Sequence, residues 1–295
     1  MELFVWITEG GPSHVSFLLP IMAKESPTAV LDGYLGDAVL GGSYIDRFLD
    51  AKVLSIEKCL EKLAMPKKIQ KLVFTTKFYN EIQECLIKSA KMEGERYSYV
   101  KNDILKIEHT MMNNRGRRYI NYGSIATGNY CPDLKPFFDK DLFEFYIKIP
   151  YYYRVKHKFY FDLIRHEYPG LLSIPSTRTY NKLKKLIIYA KKALEKALSV
   201  GLFEENTYWP LNTWLRENEE YRSKILRILL SPRTIQRGFF SKEGIMKLLD
   251  EHDKRRRNHA AVLHSLADFE LFNRLFVDGD WFNLFCSNNR TPKNI

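Results

Sequence analysis

A chain of 295 residues with 45% hydrophobic and 14% aromatic content can bury a sizeable core, and is long for one domain but short for two full ones. It contains no apolar run of the roughly 18 residues a membrane span needs, and Met1-Glu2-Leu3-Phe4 lacks the basic region of a signal peptide, so a cytoplasmic location is expected. The net charge of +11 is uneven, since seven acidic residues in the first fifty face only Lys24 and Arg47. That distribution suits a cleft in which a metal-bearing wall faces a phosphate-clamping one, and it equally suits a surface simply decorated with lysine.

In chain order, Glu2 to Ile7 reads as a strand, Pro12 to Lys24 as a helix, and Thr28 to Leu31 as a short buried strand. The second strand runs into Asp32-Gly33-Tyr34-Leu35-Gly36-Asp37. Gly33 and Gly36 are expected to take backbone angles that a side chain forbids, letting amide N–H groups converge on an anion. Asp37 is then suited to the cation such an anion carries, because magnesium prefers one or two carboxylates plus phosphate oxygens. In open α/β sheets ligands sit beyond the carboxyl ends of the strands, which is where this turn falls.

From Tyr44 onward the pattern is mainly helical, with helices expected around Ile56–Leu63, Phe78–Lys91, Tyr99–Met112 and Asp139–Ile149. Asn181 to Val200 carries an apolar stripe at helical spacing and stops at Gly201, and its lysines read as the solvated face. Asn206 to Asn212 reads as a loop before a closing helical bundle that ends at residue 286, and 287–295 as a frayed polar tail. Residues 1–205 and 206–286 are thus expected to form one domain and its closing helices. Cys59, Cys85, Cys131 and Cys286 lie far apart with no CxxC pair, which argues against a thiolate zinc site or a disulfide framework. His252, His259 and His264 are seven and five residues apart, a spacing that does not put them on one helix face as metal ligands. Arg255-Arg256-Arg257 reads as a solvated turn.

The frame Asp32 to Tyr44, DGYLGDAVLGGSY, resembles the SGxGxDExxGGY motif of the synthetase domain of the asparagine synthetase family. The likeness continues through Pro136-Phe137-Phe138-Asp139, the basic segment Arg154-Val155-Lys156-His157-Lys158, and the closing stretches Leu248-Leu249-Asp250-Glu251-His252 and Phe269 to Phe276. It spans roughly Ala29 to Asp278, and the order of these stretches is more specific than any one of them. The family's SGGxDS pyrophosphate loop occurs nowhere in the chain, Gly10-Gly11-Pro12-Ser13 being the nearest imitation, and residue 2 is Glu2 where the family's glutaminase domain has a nucleophilic cysteine. The chain is therefore expected to be the later part of such a domain. The fold class implied is α/β: a partial adenine nucleotide alpha hydrolase-like domain with a short parallel sheet, predominantly helical.

The resemblance implies an ATP-dependent, magnesium-requiring amidoligase that adenylates a small carboxylate substrate and then forms an amide. It is either completed by a second chain that supplies the missing half or ammonia, or inactive alone. The resemblance implies Asp37 as the magnesium ligand, and Asp32, Gly33 and Gly36 as the strand-end turn that meets the nucleotide. For Asp32 two roles stay open: acceptor for ribose hydroxyls, or a cap on the turn's own N–H groups. Tyr34 departs from the family's glutamate, and a phenol of ordinary pKa near ~10 is a poor base at neutral pH; asparagine formation is thereby put in doubt. Lys158, supported by Arg154, is the expected partner of the leaving pyrophosphate. The aromatics and cations from Tyr151 to Phe161 also fit a single-stranded RNA platform and a helix whose rings enter the core while its cations stay wet. The runner-up reading is a non-catalytic phosphate- or RNA-binding protein, with a membrane excluded and nucleic acid not favoured.

Overall fold

In the computed structural model, Val30–Leu31 (β1) pairs in parallel with Asp133–Leu134 (β2), Val30 facing Asp133 and Leu31 facing Leu134. The description covers residues 4–5, 17–50, 55–174 and 210–281, with the single positions 1, 8 and 190. The Asp32 N–H continues the ladder by donating to the Leu134 carbonyl at 2.8 Å. Apart from this two-stranded sheet and one isolated bridge, the described residues are mostly helical. No helix among them is long and apolar enough to cross a membrane.

The chain divides into two compact units, 1–64 with 83–174 and 281–295, and 65–82 with 175–280. In the first, the helices Gly36–Gly41 and Ser43–Asp50 follow β1 directly. Their apolar side chains, among them Val39, Leu40, Tyr44 and Phe48, pack with Ile107 and Met111 from the helix Asp103–Met111 and with Tyr146 from Lys140–Lys148. The helix Ile56–Leu63 begins where expected, with the Ser55 hydroxyl accepting from the Lys58 N–H, the usual satisfaction of an orphan helical donor.

Two expectations fail here. Phe4 and Val5 are helical, and the Val5 and Thr8 N–H groups donate four residues back to Met1 and Phe4, so the described part of Glu2–Ile7 is not a strand. An apolar run this short fits either period, and its local hydrogen bonds decide for the helix. The buried strand at Thr28–Leu31 shrinks to two residues, and Leu31 and Leu134 are 76% and 53% exposed. The helix expected over Asn181–Val200 lies outside the described residues, save Ala190, which is helical.

In the second unit, Leu248 and Leu249 of the helix Lys242–Asp253 and Leu263, Leu266 and Leu271 of Ala260–Phe272 belong to the core. Gly244 lies against the chain at Leu72: a β-carbon there would stand 1.8 Å from the Leu72 carbonyl oxygen. Arg233, Arg237 and Arg274 converge on Glu270, Asp278 and Asp280. Arg237 and Arg233 hold the Asp278 carboxyl down at about 2. His259 bonds Glu251 at 2.8 Å and His264 meets the Tyr221 hydroxyl at 2.7 Å, while Arg255, Arg256 and Arg257 form an exposed turn.

His252 is fully buried, and its Nδ1 accepts the His259 N–H at 3.2 Å. Burial and the neighbouring Arg216 lower its pKa from 6.5 to about 4. As pH falls the unfolded chain takes up this proton near 6.5 and the folded chain only near 4, so the unfolded state binds more protons in between and stability drops. The expected loss between pH 6.5 and 4 is on the order of 3 kcal/mol. Urea midpoints of His252→Gln should lack that share of the acid dependence; an unchanged slope would place it in other groups.

Candidate functional site

The acidic turn is built by its own hydrogen bonds. One oxygen of Asp32 accepts the Tyr34 N–H at 3.0 Å and the other accepts the Ser124 hydroxyl, from the helix Tyr122–Gly128. The Gly36 N–H then closes a turn onto the Gly33 carbonyl at 3.0 Å. Within it Leu35 takes φ 64° and ψ −4° while Tyr34 keeps a negative φ, which is a type II turn with leucine in the place glycine usually holds. The expectation for Gly33 and Gly36 is thus corrected, since neither adopts the left-handed region. Gly36 is instead required by space, because a β-carbon would stand 2.8 Å from the Phe137 ring. Leu35 holds its costly angle because its side chain is buried in the core.

Asp37 is exposed on the helix Gly36–Gly41 and has no hydrogen-bond or ion-pair partner among the described residues. It stands where two clefts meet. One, of about 370 Å³, is lined by Asp32, Gly33, Asp37, Ser124 and Thr127 among others. The other, of about 290 Å³, has Asp37, Ser43, Tyr44 and Arg115 in its wall. The Ser43 hydroxyl there is buried with no hydrogen-bond partner among the described residues. Burial, with Tyr34 and Asp37 nearby, pushes the Tyr44 phenol up to about 12.

Arg115 comes from a feature the sequence pattern did not indicate, a π-helix over Met112–Ile120. Within this segment the Asn114 side-chain amide donates to the Thr110 carbonyl at 3.0 Å, and at its end the Asn121 N–H reaches back to Gly116. Gly116 lets the segment close on the turn, since a β-carbon would lie 3.0 Å from the Tyr44 hydroxyl and 3.3 Å from Leu35. Extended π-helices are rare and cluster at functional sites. Arg115 lies over the Tyr119 ring at 5.5 Å and has no hydrogen bond or ion pair among the described residues. The signal for it was the cluster Asn113-Asn114-Arg115-Gly116-Arg117-Arg118, three cations around a glycine.

The basic segment is positioned differently from the expectation. Arg154 is 1% exposed, with its guanidinium forked onto Glu108 at 2.5 and 2.7 Å and its Nε on the Ile149 carbonyl at 3.0 Å. It braces the fold rather than facing the clefts. Lys158 is exposed at the start of the helix Lys158–Glu167 and rests over the Tyr153 ring at 4.4 Å; it does not line either cleft at Asp37. Its helix nevertheless packs against Gly36–Gly41. Lys156 and His157, both at positive φ, turn the chain there, and the Lys156 N–H donates to the Asp46 carboxylate at 3.0 and 3.1 Å. Gly41 and Gly42 admit this turn: a β-carbon on Gly41 would meet the His157 ring, and one on Gly42 the Arg154–Val155 backbone.

Asp32, Gly33 and Asp37 are therefore brought together, Gly36 lies behind them, and Arg154 and Lys158 lie elsewhere. Among the described residues no group of three or more His, Cys, Asp or Glu is placed to hold a metal ion. With Asp32 engaged in the turn, Asp37 is the carboxylate left free among the described residues lining these two clefts. That donor set fits a magnesium ion carried in by phosphate oxygens, not one caged by protein. No family model, no curated protein and no solved structure matches the chain.

Proposed function

We propose that the first unit is a nucleotide-binding portion of an amidoligase domain of the adenine nucleotide alpha hydrolase type, related to the synthetase domain of asparagine synthetases. The observation that carries the reading is Asp37, an exposed carboxylate without a partner among the described residues, beside the end of a parallel strand pair and sharing a cleft wall with Arg115. In this reading Asp37 holds the magnesium of MgATP and Arg115 faces its phosphates. Bound magnesium supplies charge neutralisation at the phosphate oxygens. Asp32 keeps the turn in shape through Tyr34 and Ser124, and Tyr44, kept protonated by burial, offers a hydrogen-bond donor at the same wall. Lys158 stays a candidate for the pyrophosphate through its helix, which packs beside Asp37's own.

The exposure of Leu31 and Leu134 supports a missing neighbour, because parallel sheets are normally covered on both faces. A chain bearing the SGGxDS half is the partner this reading calls for. Calorimetry with ATP in the presence and absence of magnesium tests the nucleotide site. Magnesium should tighten ATP binding, and Asp37→Asn should remove that gain, a loss of about tenfold or more for one charge-assisted contact. ATP binding indifferent to both magnesium and Asp37 would end the reading. Pyrophosphate release with a panel of small carboxylates, with and without a partner chain, then separates catalysis from binding.

One observation favours a second reading, a phosphate- or RNA-binding surface: Tyr152, Tyr153 and Phe161 are exposed beside Lys158. Binding of that kind weakens steeply with salt and ignores Asp37→Asn.

A further inference from the structure

A third cleft, of about 590 Å³, shares Tyr34 and Leu35 with the clefts at Asp37 but not the carboxylate. Its size lies in the range of small-molecule sites, and its wall has the usual composition of such sites, rings with a few convergent polar groups. Tyr34 and Phe138 lie 5.9 Å apart at 44°, and Tyr97 stacks on His109 at 5.5 Å and 20°. Phe138, on the short turn Pro136–Phe138, is 57% exposed, so its ring face is accessible to a flat ligand in the cleft.

The charges of this wall are equally specific. Its cations are Arg117 and Lys135, and no carboxylate lines it. Lys135 is already matched by Asp133 at 2.6 Å. Arg117, from the π-helix, has no hydrogen bond or ion pair among the described residues, nor has the side-chain amide of Asn121. One uncompensated positive charge with a planar fork of donors, beside stacked rings, calls for one negative charge on a planar group. A phosphate dianion would bring one charge too many.

We infer that this cleft binds a small planar aromatic carboxylate, its ring between the Tyr34–Phe138 and Tyr97–His109 pairs and its carboxylate on Arg117 and Asn121. The inference stands apart from the nucleotide reading, because it uses neither Asp37 nor magnesium. Calorimetry on the full chain, in buffer free of magnesium and nucleotide, tests it with indole-3-carboxylate, uncharged indole, cyclohexanecarboxylate and phenyl phosphate. Indole-3-carboxylate should bind about tenfold or more tightly than each of the other three. Arg117→Gln should abolish the preference over indole, and Phe138→Leu should reduce the preference over the saturated ring. Both side chains are exposed, so circular dichroism should show the fold intact. No binding of the aromatic acid, equal binding of the saturated acid, tighter binding of phenyl phosphate, or a preference that survives Arg117→Gln would each overturn the assignment.

Discussion

Replacing Glu108 by alanine should lower the unfolding free energy of the first unit by about 3–5 kcal/mol, enough to unfold a domain of ordinary stability. The cause is the charge left behind. Arg154 is fully buried and pairs with Glu108 through two parallel bonds, so truncating the carboxylate strands a guanidinium with only the Ile149 carbonyl as partner among the described residues. Removing both charges is a different experiment, because apolar residues of similar volume often replace a buried pair at little cost. Glu108→Leu with Arg154→Met should therefore recover most of the loss, measured by urea unfolding followed through circular dichroism. A double variant as unstable as Glu108→Ala would show that the volume, not the charge, is what matters there. Arg154→Met alone should strand the carboxylate instead, with a loss of similar size.

Gly244→Ala should be as damaging in the second unit through space alone. The added carbon would fall 1.8 Å from the Leu72 carbonyl oxygen and 2.7 Å from its carbon. Both are backbone atoms, so no side chain can swing aside, and the helix Lys242–Asp253 must move off its neighbour Lys67–Val73. Overpacking ordinarily costs about 1–3 kcal/mol, and a clash with backbone at this distance belongs at or above the top of that range. Alanine is the better helix former by about 1 kcal/mol, which sets the sign of the test. A thermal midpoint that falls indicates that the contact governs, and one that rises indicates that the interface opens freely.

How much of this was legible in the sequence depends on how local the deciding interactions are. The helix Ile56–Leu63 was readable because its period and its Ser55 cap lie within one segment. The turn at Asp32 was legible only in part: the cap on the Tyr34 N–H lies two residues away and was one of two roles left open, whereas the bond from Ser124 comes from 92 residues away. What was misread turns on distant partners. Arg154 carries the same sequence signal whether it faces a cleft or meets Glu108, 46 residues earlier, and only the packing decides. Leu35 took the angle that pattern assigns to glycine because burial of its side chain offsets the backbone cost, a tertiary override of local preference. The π-helix left a trace in Asn113-Asn114-Arg115-Gly116, but backbone bonds reaching five residues back, as from Asn121 to Gly116, are not a period that helical patterning detects.

Leu35 carries a last consequence. Its side chain borders all three clefts, while its backbone sits in a region that disfavours any residue with a β-carbon by about 1–2 kcal/mol. Glycine would relax the main chain but empty the buried side-chain site, a loss of about 2–5 kcal/mol, and would merge the three spaces that the leucine separates. One side chain thus both secures a strained bend and divides the hollow ground around it.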